Sequence, residues 1–491
     1  ISSSFMVNDN QVAIGTSLDG CFILDKKGAL VQHISPKEGL QDNSILTVFL
    51  DREKNLWFGL HNGIDFIPYN NAVKHINPSS LNEGAGYTSH FYRNQLYLGT
   101  SMGVFRIPAG DKKDLGTLNA VAVPIKNTIG EAWNLSEVNG QLLLGHNEGA
   151  FSIGSDVATA LDKGSGYWNF QPLSPVLPSQ LMVAGTYKGL SFYTYQNNRF
   201  TKLPGEALVE SARFVVPAYD RVWFSHPYKG IYAVLQTGGA ASIKKYGPKE
   251  GVTSANNNYL FKIKNALVLT TENGVFEYNE PKDRFEPSAF YNKHLPRFPI
   301  RYLKEDTEGN VWFVFEKKIG VLDLASGTPK IIYVPELNNK FVAGFEHINP
   351  IDGNNILIGG EKGFYHINYE QYKKLKYPLQ LLISAVSVIN QNDSLLFGGY
   401  TTSVYDGKLE PASTRTLNHD FNSLHFEFAP AVYGQLSNIE YSYYLQGFDK
   451  GWSEFNQKTE KDYTNLPPGQ YIFKVKARNN LGNESAVSEY A

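Results

Sequence analysis

The chain has 491 residues, 42% hydrophobic and 13% aromatic with 30 Tyr and 30 Phe, enough apolar mass for two or more cores and a bias toward strand-forming side chains. A formal net charge of -2 gives no general attraction to nucleic acid or to an anionic membrane. One cysteine, Cys21, excludes an intrachain disulfide and a cysteine-built metal cage, and on an apolar strand it reads as a buried structural thiol.

The opening stretch, "ISSSFMVNDN", carries neither an initiator Met nor a basic-then-apolar leader, and no apolar run in the chain reaches the roughly 18 residues of a membrane helix. A mature or trimmed ectodomain, or a soluble piece of a longer chain, is expected. Next comes "QVAIGTSLDGCFIL" (11–24), an apolar strand, a Gly, a short turn and a second apolar strand. The phrase recurs as "NLWFGLHNGIDFI" (55–67), "QLYLGTSMGVFRI" (95–107), "QLLLGHNEGAFSI" (141–153), "LMVAGTYKGLSFY" (181–193) and "NILIGGEKGFYHI" (355–367). Three worn copies fit between them, "RVWFSHPYKGIYAV" (221–234), "ALVLTTENGVFEY" (266–278) and "NVWFVFEKKIGVLDL" (310–324).

Pinned at the residue that closes the first strand, the copies fall at Gly15, Gly59, Gly99, Gly145, Gly185, Ser225, Thr270, Val314 and Gly359, in steps of 44, 40, 46, 40, 40, 45, 44 and 45 residues. A period of about 40 to 45 residues with a strand pair in every unit is that of a four-stranded propeller blade. A strand running into a polar turn precedes each phrase, as in "SILTVFLDREKN" (44–55), and a more polar outer strand follows, as in "ALVQHI" (29–34) or "NRFTKL" (198–203). The second Gly of the phrase, Gly63, Gly103, Gly149 or Gly189, is expected at positive φ.

The beat stops after residue 367. "YEQYKKLKYPLQ" (369–380) reads as a linker, and beyond it "LQLLISAVSVI", "SLLFGGY" (394–400), "SLHFEFAPAVY", "IEYSYYLQGFD" and "GQYIFKVKARNN" are short alternating strands about ten residues apart, joined by turns such as "LPPGQ". That spacing predicts an antiparallel sandwich of about 110 residues. Alternation puts Tyr441 and Tyr443 on one face and Tyr444 on the other, and Trp452 and Tyr471 are expected in the core.

The full phrase "GLQDNSILTVFLDREKNLWFGLHNGIDFI" (39–67) resembles the two-component-regulator propeller repeat. "NSLHFEFAP", "IEYSYYLQGFDKGW" and "TNLPPGQYIFKVKARNNLGNES" resemble the tyrosine-rich immunoglobulin-like module that follows such repeats. The resemblance implies the periplasmic sensor region of a membrane-spanning regulator, a hybrid histidine kinase or a regulator with only a DNA-binding output, used by glycan-foraging bacteria to detect oligosaccharides. It also implies a parent with about fourteen repeats in two seven-bladed propellers, against the nine copies here, and a membrane helix beyond residue 491. The expected fold class is therefore all-β: residues 1–80 as the end of an earlier propeller, 81–372 as a ring of seven four-stranded blades, and 378–491 as an Ig-like or fibronectin-III-like sandwich. A single larger ring is the alternative. Homodimerisation through residues 379–491 is expected, with no cofactor, no metal and no direct contact with nucleic acid.

Catalytic motifs are absent: no two of the 11 histidines lie within five residues of each other, so HExxH is missing, and "DREKN" lacks the spacing of a calcium loop. "GGEKG" (359–363) joins two strands, whereas a nucleotide site needs a helix N-terminus. Ligand contacts are instead expected among the blade ends. Tyr87 and His90 lie in "GYTSHFY", and Glu131, Trp133 and Asn134 in "GEAWN", where an indole suits a sugar face and its neighbours suit hydroxyls. Arg213 and Arg301 begin comparable inner strands, and His226 and Tyr228 flank Pro227 in a stiffened turn. Each has an ordinary alternative: inter-blade packing for Trp133, pairing with a buried carboxylate for the arginines. The expected function is oligosaccharide sensing, with a protein-binding scaffold and a polysaccharide lyase as the alternatives.

Overall fold

The computed structural model describes residues 1–81, 83–110, 113–118, 121–205, 207–208, 210–237, 240–254, 256–374, 379–389, 394–399, 416–433 and 436–491. Positions 375–378 of the expected linker and Tyr400 at the end of the expected strand 394–400 lie outside the described residues. The chain divides into two compact units: 71–333 with 337–373, and 1–70 with 334–336 and 374–491.

In the unit of residues 71–333 and 337–373, seven antiparallel sheets follow one another, each four strands in a row, the third with a short extra strand at Ala207–Leu208. The innermost strands of blades 1 to 7 are Gly86–Tyr92, Ala132–Val138, Tyr167–Pro172, Phe214–Ala218, Tyr259–Ile263, Ile300–Glu305 and Ile348–Asp352. The phrase that carries the period supplies the two middle strands of every blade. Its turn glycines have the left-handed backbone that their position requires, with φ of 106° at Gly63, 125° at Gly103, 158° at Gly149 and 134° at Gly189.

The ring closes between the ends of the chain segment that builds it. Strand Val73–Ile76, N-terminal to the boundary expected at residue 80, is the outer strand of blade 7, with Ile76 opposite Phe364 and Val73 opposite Ile367. Blade 7 also meets blade 1 directly: Gly86 N donates to Gly360 O at 2.9 Å and Gly363 N to Gly84 O at 2.8 Å. Leu357 and Phe364 share an apolar cluster with Leu96 and Leu98 of blade 1. Similar clusters fill the spaces between successive blades, as where Tyr97 and Val104 meet Leu144 and Phe151. Each fully buried large side chain contributes about 1.5–3 kcal/mol, so a ring of such contacts holds its blades stiffly.

The pin glycines have a reason other than φ. A Cβ on Gly145 would lie 2.7 Å from the carbonyl oxygen of Tyr167 in the next blade, and a Cβ on Gly185 or Gly359 would strike the carbonyls of Ala212 or Gly86. Each contact is to the start of the neighbouring inner strand or, for Ala212, to the residues just before it, so the absent side chain sets how closely one blade approaches the next. Another recurring device holds the turn before the phrase. Asp51 Oδ1 accepts from Glu53 N and Asn55 N, both at 2.9 Å, and its Oδ2 from Trp57 Nε1 at 3.1 Å. Asp306 does the same for Glu308 N, Asn310 N and Trp312 Nε1. "DREKNLW" and "DTEGNVW" are thus one Asx-turn lock with the carboxylate spent on the fold. Tyr369 and Tyr372, in the expected linker, belong to a short helix, Tyr369–Lys374, and are buried; Tyr369 OH donates to Asp323 Oδ2 at 2.7 Å.

In the other unit, the first two copies of the phrase build a four-stranded sheet, Ser3–Asn8 to Leu30–Ile34, and a three-stranded sheet, Ile45–Leu50 to Gly63–Ile67. Cys21 lies in their shared core, fully buried, its thiol pushed up to about 12 by burial. The C-terminal strands form two facing sheets. Ser394–Phe397, Leu381–Val388, Leu424–Pro430 and Glu460–Tyr463 make one, and Ile439–Gln446, Ile472–Asn479 and Ser488–Tyr490 the other. Phe426 and Phe473 stack at 4.1 Å in the core between them, beside Tyr441 and Val475, and Tyr443 and Tyr471 pack against its edge. Trp452 is not a core residue: it is 41% exposed and lies 5.9 Å from Tyr444 on the outer face, with the Lys476 ammonium 5.2 Å from its ring. Its neighbours Ser453 and Asn456 bond the backbone of Tyr443 and Tyr441 as an added edge, which turns the preceding indole outward.

Candidate functional site at the mouth of the seven-bladed ring

All seven inner strands run in the same sense, so their first residues gather at one end of the ring. At that end the ladders are irregular in the same place. In blade 1, Gly86 pairs Thr100 and Thr88 pairs Gly99, which leaves Tyr87 extra. Trp133 is extra in the same way between Ala132 and Asn134, Trp168 between Tyr167 and Asn169, and Arg301 between Ile300 and Tyr302. A bulge re-aims the inserted side chain. In the other blades the matching position, one before the residue opposite the pin, is Arg213 in blade 4, Asn258 in blade 5 and Glu346 in blade 7.

A cavity of about 1100 Å³ runs along the inner strands. Tyr87, Trp133, Asn134 and Arg213 line it, joined by Trp168, Asn169, Phe345 and Glu346. The aromatic rings form one connected surface: Trp133 stacks on Phe345 at 4.9 Å with planes 16° apart, and its centroid is 4.9 Å from Tyr87 and 5.3 Å from Trp168. Trp133 Nε1 donates to Tyr187 OH at 2.7 Å, so the indole bridges blades 2 and 3 instead of disappearing between them. The Arg213 guanidinium sits 4.4 Å from the Phe345 ring and 5.2 Å from Trp168, and donates to Gly344 O. Burial lowers its pKa, and the Glu346 carboxylate opposes that shift. Asn169 donates from Nδ2 to Arg213 O at 2.7 Å, while its Oδ1 has no partner among the described residues.

The other expected residues lie at the rim or below it. Glu131 is absent from the lining, yet its charge adds to burial in raising the Tyr87 hydroxyl. His226 and Tyr228 sit in the blade 4 turn, where Tyr228 N donates to His226 Nδ1 at 3.3 Å; burial first and then Arg213 hold the imidazole below its usual pKa. Arg301 does not line the cavity, although it acts electrostatically on Tyr259. His90 parts company with Tyr87: three residues further along the strand it faces Glu137 at 3.5 Å, outside the lining. Further down the channel His347 accepts from Ser89 N at 2.9 Å and stays neutral, its pKa held down to about 3 by burial and by the nearby Lys304 and His90.

Trp168, Phe345, Glu346 and Lys304 are the residues that sequence reasoning missed. The signal lay in register: aligning "GYTSHFY", "AWNLSEV", "YWNFQP", "RFVVPA", "IRYLKE" and "EHINPI" on the residue opposite each pin puts Trp168 and Glu346 in the column of Tyr87, Trp133, Arg213 and Arg301. Among the described residues no group of three or more His, Cys, Asp or Glu side chains is placed to hold a metal ion. What the mouth offers is a broad aromatic surface beside fixed charges, an arrangement suited to the two-faced surface of a sugar ring.

Residues 432–490 match the Y_Y_Y domain. The chain aligns with the extracellular domain of a protein from B. thetaiotaomicron assigned to the hybrid two-component systems, at TM-score 0.74 and 19% identity, over 99% of this chain and 66% of that one. A second extracellular domain from that organism, of a protein assigned to the one-component systems, aligns over 100% of this chain and 67% of its own at TM-score 0.48 and 16% identity. Over 215 residues the chain is 22% identical to Histidine kinase P4 of Formosa agariphila, a stretch that covers 43% of this chain and 15% of that relative. The likeness to the first structure is one of fold, a propeller followed by a sandwich. Among the described residues no helix is long and apolar enough to cross a membrane.

Proposed function

We propose that this chain is the extracytoplasmic, periplasmic ligand-sensing region of a membrane-spanning signalling regulator, and that its ligand is an oligosaccharide held at the mouth of the seven-bladed ring. The observation that carries the reading is the convergence of Tyr87, Trp133, Trp168 and Phe345 with Arg213 and Glu346 on one cavity. Aromatic faces cover the apolar C–H side of a pyranose while Asn134, Asn169 and the charged pair read its hydroxyls, and Glu131, His226, Tyr228 and Arg301 extend the rim. The division into 1–80, 81–372 and 378–491 belongs to the same proposal, with strand Val73–Ile76 lent to the ring.

A propeller with filled inter-blade cores transmits poorly by bending, and a ligand shifts an equilibrium only through different affinity for two states. The relay therefore runs through module packing, with the sandwich joining two copies of the chain. Its outer strip of Tyr444, Trp452 and Phe455 under Lys476 and Arg478 is the surface assigned to that contact. Sedimentation of the chain and of Trp452→Glu tests it: a dimer in both would remove the strip from the interface. The ligand reading is tested by calorimetric titration with a panel of oligosaccharides. Binding by at least one, lost in Trp133→Ala and in Trp168→Ala with both variants folded, supports it; undiminished binding in both variants refutes the site.

A further inference from the structure

Below the aromatic mouth the cavity changes character. Its lining holds four cations, Arg213, Arg221, Lys262 and Lys304, against two carboxylates, Asp220 and Glu346. Arg221 is occupied by Asp283 at 2.5 Å, and Glu346 opposes the charge of Arg213. Lys262 and Lys304 have no carboxylate within ion-pair distance among the described residues, and Lys304 stands on the inner strand that begins at Ile300. The Lys304 side chain lines the cavity and is exposed to solvent there. The groups that feel its charge are two imidazoles, His347 and His90, which it helps to keep neutral, with Glu137 on the far side of His90. The surrounding channel wall lowers the Lys304 pKa, and no carboxylate among the described residues offsets that shift. A cation at the channel wall with no protein carboxylate beside it can pair with an anion that enters the channel.

Geometry links this ammonium to the mouth. Lys304 lies three residues beyond Arg301 on the same inner strand, roughly 10 Å deeper at about 3.3 Å per residue. A ligand seated at the mouth that continues into the channel shares the cavity with Lys304. We propose that the channel takes an anionic oligosaccharide, one that carries a carboxylate or a sulfate ester, and that Lys304 receives the anion while the mouth aromatics hold the sugar rings. The inference rests on the reading of the mouth as an oligosaccharide site and names the class of its ligand.

The test is calorimetric titration of the whole chain with matched neutral, uronate and sulfated oligosaccharides at low and high salt. The variants are Lys304→Gln, Lys304→Arg and Trp168→Ala, with thermal unfolding to confirm that each is folded. An acidic oligosaccharide should bind at least about tenfold tighter than its neutral counterpart, the size of one charge-assisted hydrogen bond, and should weaken with salt. Lys304→Gln should remove that advantage and Lys304→Arg should keep most of it. Preference for the uronate or for the sulfate decides which anion is read, and either supports the proposal. A neutral oligosaccharide that binds as tightly as the acidic one, and is lost in Trp168→Ala, overturns the anion inference and leaves the mouth reading standing. Binding indifferent to both Lys304→Gln and Trp168→Ala overturns both, as does failure of the whole panel to bind.

Discussion

The hairpin that repeats around the ring and the strand start that faces its channel belong to the same blades, yet they obey opposite rules. At the pin the residue is Gly in blades 1, 2, 3 and 7, because a Cβ there would meet the start of the neighbouring inner strand or the residues just before it. One strand away, at the position that opens the inner strand, blades 1 to 7 carry Tyr87, Trp133, Trp168, Arg213, Asn258, Arg301 and Glu346. Glycine recurs where the neighbouring blade comes too close for a Cβ, while Ser225, Thr270 and Val314 take its place in blades 4 to 6. The residue type varies at the second position, and in blades 1 to 3 a bulge there turns an aromatic side chain toward the channel. The two are physically coupled, since each pin glycine abuts the carbonyl just before its neighbour's mouth residue.

The largest loss of stability is expected in the hairpin. Trp312 is fully buried in the middle strand of blade 6, with its Nε1 on Asp306 and its ring 5.1 Å from Tyr369. Trp312→Ala should cost about 3–5 kcal/mol in chemical unfolding, as for a large core aromatic. A loss below about 1 kcal/mol would mean that blade 6 does not pack as described.

Next in size is Gly185→Ala. The added methyl meets the Ala212 carbonyl and lies 2.8 Å from Val215 Cγ2, so backbone of blade 4 has to move; overpacking of this kind costs about 1–3 kcal/mol. The consequence should also reach the mouth, because the displaced carbonyl is one residue before Arg213. Ligand affinity should therefore fall although Gly185 does not line the cavity. Unchanged affinity alongside the stability loss would separate the two regions that the geometry couples.

Much of this was legible from residues alone and some was not, for identifiable reasons. The blades were legible because the phrase keeps its beat even where Ser225, Thr270 and Val314 replace the pin glycine. Strand Val73–Ile76 was not, because its partner, Phe364–Ile367, lies almost 300 residues away and local patterning carries no trace of such pairing. In the mouth, Tyr87, Trp133 and Arg213 were legible as aromatics and cations at strand starts. Trp168 sits in the same bulge as Trp133, but "GYWNF" lacks the acidic neighbour that singles out "GEAWN", and only alignment on the residue opposite each pin puts the two indoles in one column. Phe345 and Glu346 precede the strand that begins at Ile348, where no periodicity operates. Trp452 was misread since large aromatics are usually buried, and only the added edge through Ser453 shows why this one is not.

A smaller effect distinguishes outer-blade electrostatics from both regions. Asp283 accepts from Lys244, Tyr278, Arg221 and Tyr246, and although burial alone would raise its pKa, these four donors hold the carboxyl well below the usual range. A depressed folded pKa contributes stability that is complete above the unfolded value near 3.9 and is lost as pH falls through the folded one. Asp283→Asn should thus melt lower than the parent at pH 7, with the gap narrowing in acid. The gap should be modest because the side chain is 40% exposed, and one that widens below pH 4 would contradict the assigned sign.

The smallest expected effect on stability is at the rim. Tyr228 is 65% exposed in the blade 4 turn, 6.1 Å from the His226 ring, and its electrostatic influence reaches Arg213 and Tyr259. An exposed turn residue with so little buried area should change stability by no more than about 0.5 kcal/mol when cut to Ala. Affinity is a different matter if the ligand extends past Arg213 to the rim, where the exposed Tyr228 ring stands 6.1 Å from His226. Tyr228→Ala should then leave the melting temperature unchanged and weaken binding of longer oligosaccharides while sparing the shortest one that binds. Equal weakening for every length would place Tyr228 against the sugar unit at the mouth. No weakening at any length would confine the ligand to the mouth as far as Arg213, and the blade 4 turn would join the hairpins as scaffold.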